Sequence, residues 1–533
     1  MVSFRNGAKA FATLALVNRA IAELPPIIAK GQYFFYSNNG SQFFMKGVAY
    51  QQGIQVDGAP VEEDHKYTDP LADTTSCTRD IPFLKKAGTN TIRVYAIDPE
   101  EDHSACMKLL DDAGIYVVAD LSSPAESIDR VNPSWTLDHL ERYTKVIDEM
   151  AKYSNVIGFF AGNEVANNAS YTPSSAFVKA AVRDSKKFIK SKNYGRWLGV
   201  GYANNDDPET RDNLASYFNC GDPEEAVDFW GFNIYEWCGE STFKTSGYEE
   251  RTKEFENYSV PAFFAEYGCN TKGGGANRLF QDTGVLYSSQ MNKVWSGGIV
   301  YGYFNEENDY GLVDIKGNSV TPNQGYTNLA SQIKASSFPT NTVNQAAYSP
   351  TNTPRACPAV STQGAEVWEA VSSPLPPSPD AEVCDCMFSG LKCKPSEKVL
   401  NNATAIGELF GTVCGLLDGK ACNGIQHNAA TGDYGVYSGC TPGQQLAHAL
   451  DEYYTLQKKA ADACSFGGKA VLDTKATAAS KCGDVLSSAS AAAGDKGGNA
   501  DKKDAASGLG FGQFAMIGYV VAAMAVGGAM VVL

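Results

Sequence analysis

Two hydrophobic periods alternate along the first two-thirds of the chain. Short, nearly continuous apolar runs occur at Phe43–Tyr50, Thr89–Ile97, Ile115–Leu121, Val156–Asn163, Arg196–Gly201, Asp228–Tyr235, Val260–Glu266 and Gly298–Phe304. Runs of this length with polar or Gly-containing flanks read as buried strands. Between several of them the apolar positions fall at helical spacing, most clearly in Ser104–Asp112, Thr136–Lys152, Ser174–Lys190 and Asp282–Trp295. Eight apolar strands separated by crossovers predict a (β/α)8 TIM barrel. A doubly wound sheet is the alternative, but no Gly-rich nucleotide loop follows the first strand. Gly273–Gly275 lacks the lysine and spacing of a phosphate loop.

Beyond the barrel pattern the composition changes. Six cysteines precede residue 370 (Cys77, Cys106, Cys220, Cys238, Cys269, Cys357), and eight fall within Cys384–Cys482 (Cys384, Cys386, Cys393, Cys414, Cys422, Cys440, Cys464, Cys482). Both sets are even. With 14 Cys against 5 His, disulfides are favoured over zinc. A large, lightly stapled module over residues 23–357 is therefore followed by a linker at 358–383 and a small, densely stapled domain at 384–482. The proline-rich stretch 371–382 reads as an extended, semi-rigid spacer. Residues 483–499, rich in Ala, Gly, Ser and Lys, read as a flexible stalk.

Charge narrows the function classes. Sixty Asp and Glu against 44 Lys and Arg give a net −16 over 533 residues, which disfavours a nucleic-acid partner.

Both ends carry address signals. Residues 1–22 have a basic start (Arg5, Lys9), a short apolar stretch and an A-x-A site ending at Ala22, the features of a secretory signal. A stray amphipathic helix is the bland alternative. Phe514–Leu533 is apolar and long enough to span a bilayer. Small residues around Asn499 followed by a polar spacer instead match a glycosylphosphatidylinositol (GPI) signal, with 500–533 removed. Removing both ends takes away five cationic and two anionic side chains, so the mature chain is more acidic. Asn39, Asn168, Asn257 and Asn402 occupy N-x-[ST] sequons, as suits a secreted glycoprotein.

Catalytic groups of such a barrel cluster at the C-terminal strand ends. Two acids stand there after apolar, aromatic runs, Glu164 in VIGFFAGNE and Glu266 in PAFFAEYG. Either alone reads equally as a salt-bridge residue. Together they suit glycosidic bond chemistry, which uses paired carboxylates. Tyr50, Gln51, Tyr95, Asp120, Asn163, Tyr235, Trp237 and Tyr303 lie at other strand ends. The motif NNDDPETRD adds Asn205 and Asp207, and YFNEENDYGL concentrates further polar groups. Aromatic faces and amides suit an elongated sugar ligand, and each also suits ordinary rim packing.

The segments KGQYFFYSNNGSQFFMKGVAYQ, TIRVYAI, GNE, NIYEWCG, AEYG, SGGIVYGYF and NDYGLV closely resemble the fungal β-1,3-glucanosyltransferases of glycoside hydrolase family 72, over roughly residues 27–357. The cysteine-dense domain resembles the X8 module, or carbohydrate-binding module family 43. The resemblance implies a retaining transglycosidase that cuts β-1,3-glucan internally and passes the fragment to the non-reducing end of another glucan chain. It implies no cofactor and no metal. It matches Glu164 to the general acid/base, Glu266 to the nucleophile, Asn163 to the sugar 2-hydroxyl contact and Tyr235 to a positioner of the nucleophile. Gln51, Tyr95, Asp120 and Tyr303 match subsite residues. It also implies the pairs Cys77–Cys106, Cys220–Cys357, Cys238–Cys269, Cys384–Cys440, Cys386–Cys482, Cys393–Cys464 and Cys414–Cys422, which spacing alone leaves open. The partners implied are glucan donor and acceptor chains, and the membrane through a lipid anchor on a monomeric chain. The location implied is the extracellular face of a fungal plasma membrane, with the cell wall as a second site. A secreted β-glucan hydrolase and a non-catalytic wall-binding protein are the rival readings. The chain departs from some members of that family in having no long serine-rich stretch before the anchor site.

Overall fold

The computed structural model describes residues 23–492 apart from 54–66, 125, 337–338, 340–341, 364–366 and 461. The expected signal (1–22), the attachment residue Asn499 and the tail 500–533 lie outside the described residues. Among the described residues no helix is long and apolar enough to cross a membrane.

The chain opens with a three-stranded antiparallel sheet, β1 Ile27–Lys30, β2 Tyr33–Tyr36 and β3 Gln42–Phe43. Eight parallel strands follow and close into a barrel in chain order: β4 Met45–Ala49, β5 Thr91–Val94, β6 Tyr116–Asp120, β7 Val156–Asn163, β8 Gly199–Asn204, β9 Phe229–Asn233, β10 Ala262–Tyr267 and β11 Trp295–Val300. β11 returns to β4 through Gly297–Met45 and Val300–Val48. Each of the first seven barrel strands leads to a helix: α1 Thr74–Ala87, α2 Ser104–Ala113, α3 Leu137–Met150, α4 Ser174–Lys192, α5 Arg211–Asn219, α6 Tyr248–Phe255 and α7 Gln281–Leu286. After β11 a hairpin, β12 Val313–Lys316 and β13 Ser319–Pro322, precedes α8 Gln324–Ala335. This is the TIM barrel that the hydrophobic pattern predicts.

Barrel strands are buried on both faces, which explains their continuous apolar character. The interior is aromatic. Phe34 of the small sheet reaches Trp197, Phe229 and Phe263 with ring centroids 6.1–6.3 Å apart. The small sheet thus closes the N-terminal mouth, leaving the C-terminal mouth for the site. At Gly201 a Cβ would come within 2.2 Å of the Phe229 ring, so this close strand packing requires glycine.

The expected helix Asp282–Trp295 is shorter, and its end shifts the last strand. α7 stops at Leu286. Tyr287 then donates its hydroxyl to Met45 O, and Asn292 donates its amide to Tyr287 O. These bonds turn the chain so that Trp295 opens β11, three residues before the expected start. The remaining expected strands are found with boundary shifts of a few residues.

The second domain comprises α9 Ala381–Gly390, β14 Cys393–Pro395, α10 Glu397–Leu400, α11 Ala403–Cys414, β15 His427–Asn428, β16 Asp433–Tyr434, α12 Pro442–Leu456, β17 Ala470–Leu472 and α13 Cys482–Ala492. Its small core includes Leu409, Val413, Leu446, Leu450 and Tyr454. All seven disulfides that the resemblance implies are formed, and four of them staple this domain. Such staples offset its limited apolar burial.

Two expectations about the connecting segments change. The linker is extended, yet it is bound to the barrel. Trp368 is fully buried against Tyr217, whose hydroxyl donates to Val371 O, and Ser378 donates to Asp184. The expected flexible stalk begins with ordered helix: α13 is tied by Cys386–Cys482, and its Leu486 packs beside Cys384, Met387 and Cys440. Leu137 N also donates to Gly439 O across the seam, and Phe177 meets His427 edge-on at 4.9 Å.

One buried titratable group links the helical ring. His103, fully buried, lies 2.9 Å from Asp69 and 3.0 Å from Glu149. Burial opposes its charge, but the two carboxylates together raise its pKa above 6.5. Its stabilising contribution is complete below the unfolded value and is lost as pH rises through the raised folded value. His103→Gln is therefore expected to lower the melting temperature more at acidic than at alkaline pH. Thermal melts across that range check this, and a uniform offset would refute it.

Candidate active site

The C-terminal mouth brings the two singled-out acids into one hydrogen-bonded network. Glu266 sits near the end of β10, 8% exposed. Its Oε1 accepts from Tyr95 Oη at 2.8 Å and Arg93 Nη1 at 3.2 Å, and its Oε2 accepts from Tyr235 Oη at 2.9 Å. Glu164 follows β7 with φ 50°, the left-handed region that a non-glycine residue adopts at a cost of about 1–3 kcal/mol. Glu164 N donates to Ala203 O, and Arg130 donates to Glu164 O, which holds this conformation. Glu164 Oε1 accepts from Asn233 Nδ2 at 2.6 Å.

Arg93 ties the network together. Fully buried within β5, it makes a two-point bond to Asp120 at 3.0 and 2.8 Å, and also donates to Asn163 Oδ1 at 3.0 Å. Asn163 Oδ1 accepts in addition from Asn233 Nδ2 at 3.0 Å. A continuous path thus runs from Glu266 through Arg93, Asn163 and Asn233 to Glu164. The guanidinium also lies 4.3 Å from the Tyr95 ring centre and 4.4 Å from that of Phe160.

Electrostatics separates the two acids. Burial pushes the Glu266 carboxyl up to about 7, and the charge of Glu164 acts in the same direction. Arg93, Tyr95 and Tyr235 oppose that shift because each favours the anion. Two such carboxyls resist double ionisation. The guanidinium and two phenols on Glu266 favour its ionised form against that push.

Four tyrosines surround Glu266. Tyr95 and Tyr301 are 6.3 Å apart, Tyr301 and Tyr310 5.2 Å, and Tyr310 and Tyr235 5.7 Å, all edge-on. A cleft beside them is lined by Gln51, Tyr95, Tyr301, Glu306, Asn308 and Tyr310. Buried Arg278 holds this wall by donating to the carbonyls of Tyr301 and Tyr310. Cavity size alone does not locate the chemistry: two larger cavities, about 700 and 710 Å³, flank Ser378 at the seam between the domains.

The other expected site residues separate into three groups. Tyr95, Asn163 and Tyr235 touch the acids or their direct partners. Gln51 lines the cleft, but its Oε1 is occupied by the backbone amides of Tyr95 and Ala96 and its Nε2 donates to Thr68 O. Both Asp120 oxygens are bonded by Arg93, so Asp120 acts through that cation. Asn205 donates to Asn167 O and Asp207 accepts from Glu209 N and Thr210 N, so both brace the rim.

Tyr303 is a correction. It is fully buried, turned to Asp80 of α1 at 3.3 Å and packed on Tyr50. Because β11 starts early, Tyr301 takes the rim position instead. Tyr50 likewise bonds Asp80, and Trp237 is buried against Tyr248. Arg93, Asn233, Tyr301 and Tyr310 were not singled out by the sequence reading. A charge inside the apolar run TIRV was the available signal for Arg93.

Among the sequons, Asn39, Asn257 and Asn402 are exposed, whereas Asn168 is half-buried and caps a short turn by accepting from Ser170 N.

Comparisons with known proteins agree with this geometry. Residues 16–337 match the sequence profile described as Glucanosyltransferase, and residues 391–471 match the X8 domain. The chain is 48% identical to a 1,3-beta-glucanosyltransferase of Arthroderma benhamiae, over 90% of this chain and 88% of that one. It is 42% identical to 1,3-beta-glucanosyltransferase gas1 of Schizosaccharomyces pombe, over 90% and 85%. A structure of a Saccharomyces cerevisiae Gas2p mutant in complex with laminaritetraose and laminaripentaose aligns with a TM-score of 0.76 at 40% identity, covering 88% of this chain and 100% of that one.

Proposed function

Since the chain belongs to the glucanosyltransferase family, we propose that it cleaves β-1,3-glucan internally and transfers the fragment to the non-reducing end of a second β-1,3-glucan by retaining double displacement. The observation that carries this reading is the unequal treatment of the two acids. Glu266 is held by three anion-favouring donors, while Glu164, fixed in a strained backbone conformation, shares its amide partner Asn233 with Asn163.

In this mechanism Glu266 attacks the anomeric carbon as the anion. Glu164 gives its proton to the departing glycosidic oxygen. The product is a covalent glycosyl-enzyme. Glu164, now a base, takes the proton of an acceptor 3-hydroxyl, which attacks the same carbon and releases Glu266. The bond made matches the bond broken, so no external energy source is required. Tyr95, Tyr235 and Arg93 fix the direction of the Glu266 oxygens and stabilise its charge in the resting state and on release. The tyrosine wall offers ring faces for sugar stacking, and a sugar held there excludes water, which favours transfer over hydrolysis.

Incubation with one reduced laminari-oligosaccharide followed by product sizing tests the reading. Products longer than the starting material are expected. Shorter products alone would indicate a hydrolase, and unchanged substrate a binding protein.

Glu164→Gln is expected to abolish turnover of natural glucan. With a donor whose leaving group needs no protonation, the glycosyl-enzyme should still form and accumulate, and azide should release it as the β-glycosyl azide. Mass spectrometry of intact protein checks the accumulation. An α-azide, or equal loss with both donor types, would reject the acid/base assignment.

The ends of the chain support a location outside the cell. In this reading residues 1–22 direct secretion, and lipid replaces 500–533 at Asn499, holding the enzyme at the membrane face of the glucan wall. Release from intact membranes by a phosphatidylinositol-specific phospholipase tests the anchor. Retention after that treatment, in a form that detergent alone extracts, would favour a membrane-spanning tail.

A further inference from the structure

Asn233 gives both hydrogens of its amide to the acid/base side of the mouth. It closes β9, is 2% exposed, and reaches past β8 to the end of β7. Its Nδ2 donates to Asn163 Oδ1 at 3.0 Å and to Glu164 Oε1 at 2.6 Å. Its own Oδ1 is buried with no hydrogen-bond partner among the described residues. A buried acceptor left in that state costs stability, so the amide is held in place for its NH2.

Chemistry fixes which way round this chain of bonds runs. A guanidinium only donates. Arg93 Nη2 therefore requires the oxygen of Asn163, not its amino group, at 3.0 Å. That oxygen in turn requires the NH2 of Asn233. Turned over, Asn233 would set its own oxygen against Asn163 Oδ1 with no hydrogen between them. The second N–H of Asn233 then falls on Glu164 Oε1. In a carboxylic acid the carbonyl oxygen is the better acceptor, so the oxygen that takes this bond is the one without the proton.

We propose that Asn233 is a positioning residue for the acid/base: by occupying Glu164 Oε1 it places the transferable proton on Oε2, and it stabilises the carboxylate left when that proton has gone. The proposal rests on the assignment of Glu164 given above. The bond serves both halves of the reaction, because Oε1 stays an acceptor whether or not Oε2 is protonated. One oxygen, Oε2, thus gives the proton to the leaving group and takes it from the acceptor.

The groups facing the Glu164 carboxyl are Glu266 of β10, Tyr202 of β8 and Tyr301 beyond β11, with Arg130 at its backbone carbonyl. Burial holds both phenols above the ordinary phenol range, so neither sets a limb near neutral pH. With natural glucan, loss of the Glu164 proton sets the alkaline limb of kcat/KM. Removing an N–H that favours the anion moves that limb upward.

Asn233→Ala and the isosteric Asn233→Asp, whose carboxylate has no hydrogen to give, test this in the full chain. Each is assayed for kcat/KM with a reduced laminari-oligosaccharide and with an aryl β-laminari-oligosaccharide whose phenol leaves without protonation. Asn233→Ala is expected to lose about tenfold or more with the natural donor and far less with the aryl donor. Its alkaline limb with the natural donor should move up by about half a pH unit or more. Asn233→Asp adds a charge facing Glu164 and should move the limb further, and it serves alone if Asn233→Ala does not fold. Equal losses with both donors, or a limb left in place, overturn the proposal, and Asn233 would then only brace β9 against β7. Failure of the acid/base assignment itself is distinct, because it appears as equal loss with both donors in Glu164→Gln.

Discussion

Replacing Glu266 by Gln is expected to eliminate cleavage and transfer together, by roughly 10⁴-fold or more, while leaving the fold in place. The amide fits the existing donors. Its oxygen can remain toward Tyr95 and Arg93, where Oε1 now accepts, and its NH2 can face Tyr235, whose hydroxyl oxygen accepts as readily as it donates. Arg93 keeps its two-point bond to Asp120. Stability should not suffer, for a reason of sign. A carboxyl raised by burial binds its proton more tightly folded than unfolded, so its ionisation costs the native state as pH rises through about 7. The neutral amide does not pay that cost. The variant should therefore melt at or above the temperature of the unsubstituted protein at neutral pH, and still bind laminari-oligosaccharide. Product sizing, calorimetric melting and binding titration together check the expectation. Residual transfer by a well-folded variant would assign the nucleophile elsewhere.

Much of this site is legible because barrel strands impose a strict apolar rule. Glu164 and Glu266 break that rule at strand ends and so announce themselves. Arg93 breaks it too, in the middle of TIRV, but a charge there makes sense only once Asp120 and Glu266 are known to face it across the barrel. Periodicity reports one strand at a time, whereas the meaning of Arg93 lies between three strands. Tyr301 was hidden for another reason. The helical reading of Asp282–Trp295 absorbs the start of β11, so the strand reads as beginning at Gly298 and Tyr303 takes the place at the rim. Arg211 meets Asp206 beyond β8 and Glu236 beyond β9, and so joins two loops whose conformations depend on tertiary packing. Neither loop carries a local signal of the other.

Arg93→Met is the change expected to cost most in stability and to report most about charge. It leaves Asp120 buried, 2% exposed, without its cation. Breaking a buried pair in this way costs about 3–5 kcal/mol. It also removes the strongest influence holding the Glu266 carboxyl down, so that carboxyl should titrate higher still, and the acid limb of kcat/KM should move to higher pH. The two consequences have different remedies. Arg93→Met with Asp120→Asn removes the orphaned charge and should recover most of the melting temperature, yet it returns no cation to Glu266, so the displaced limb should persist. Arg93→Lys should do the reverse in part. Its charge keeps the limb near its original position, but one ammonium cannot reproduce the planar fork that now reaches Asp120, Asn163 and Glu266 together. Its kcat should consequently fall even where its pH profile is nearly unchanged. If the double variant recovered stability and the original acid limb together, Arg93 would be a structural brace for β5 and β6 alone. If only stability returned, the same guanidinium would be both the keystone of the barrel mouth and the group that keeps the nucleophile ionised.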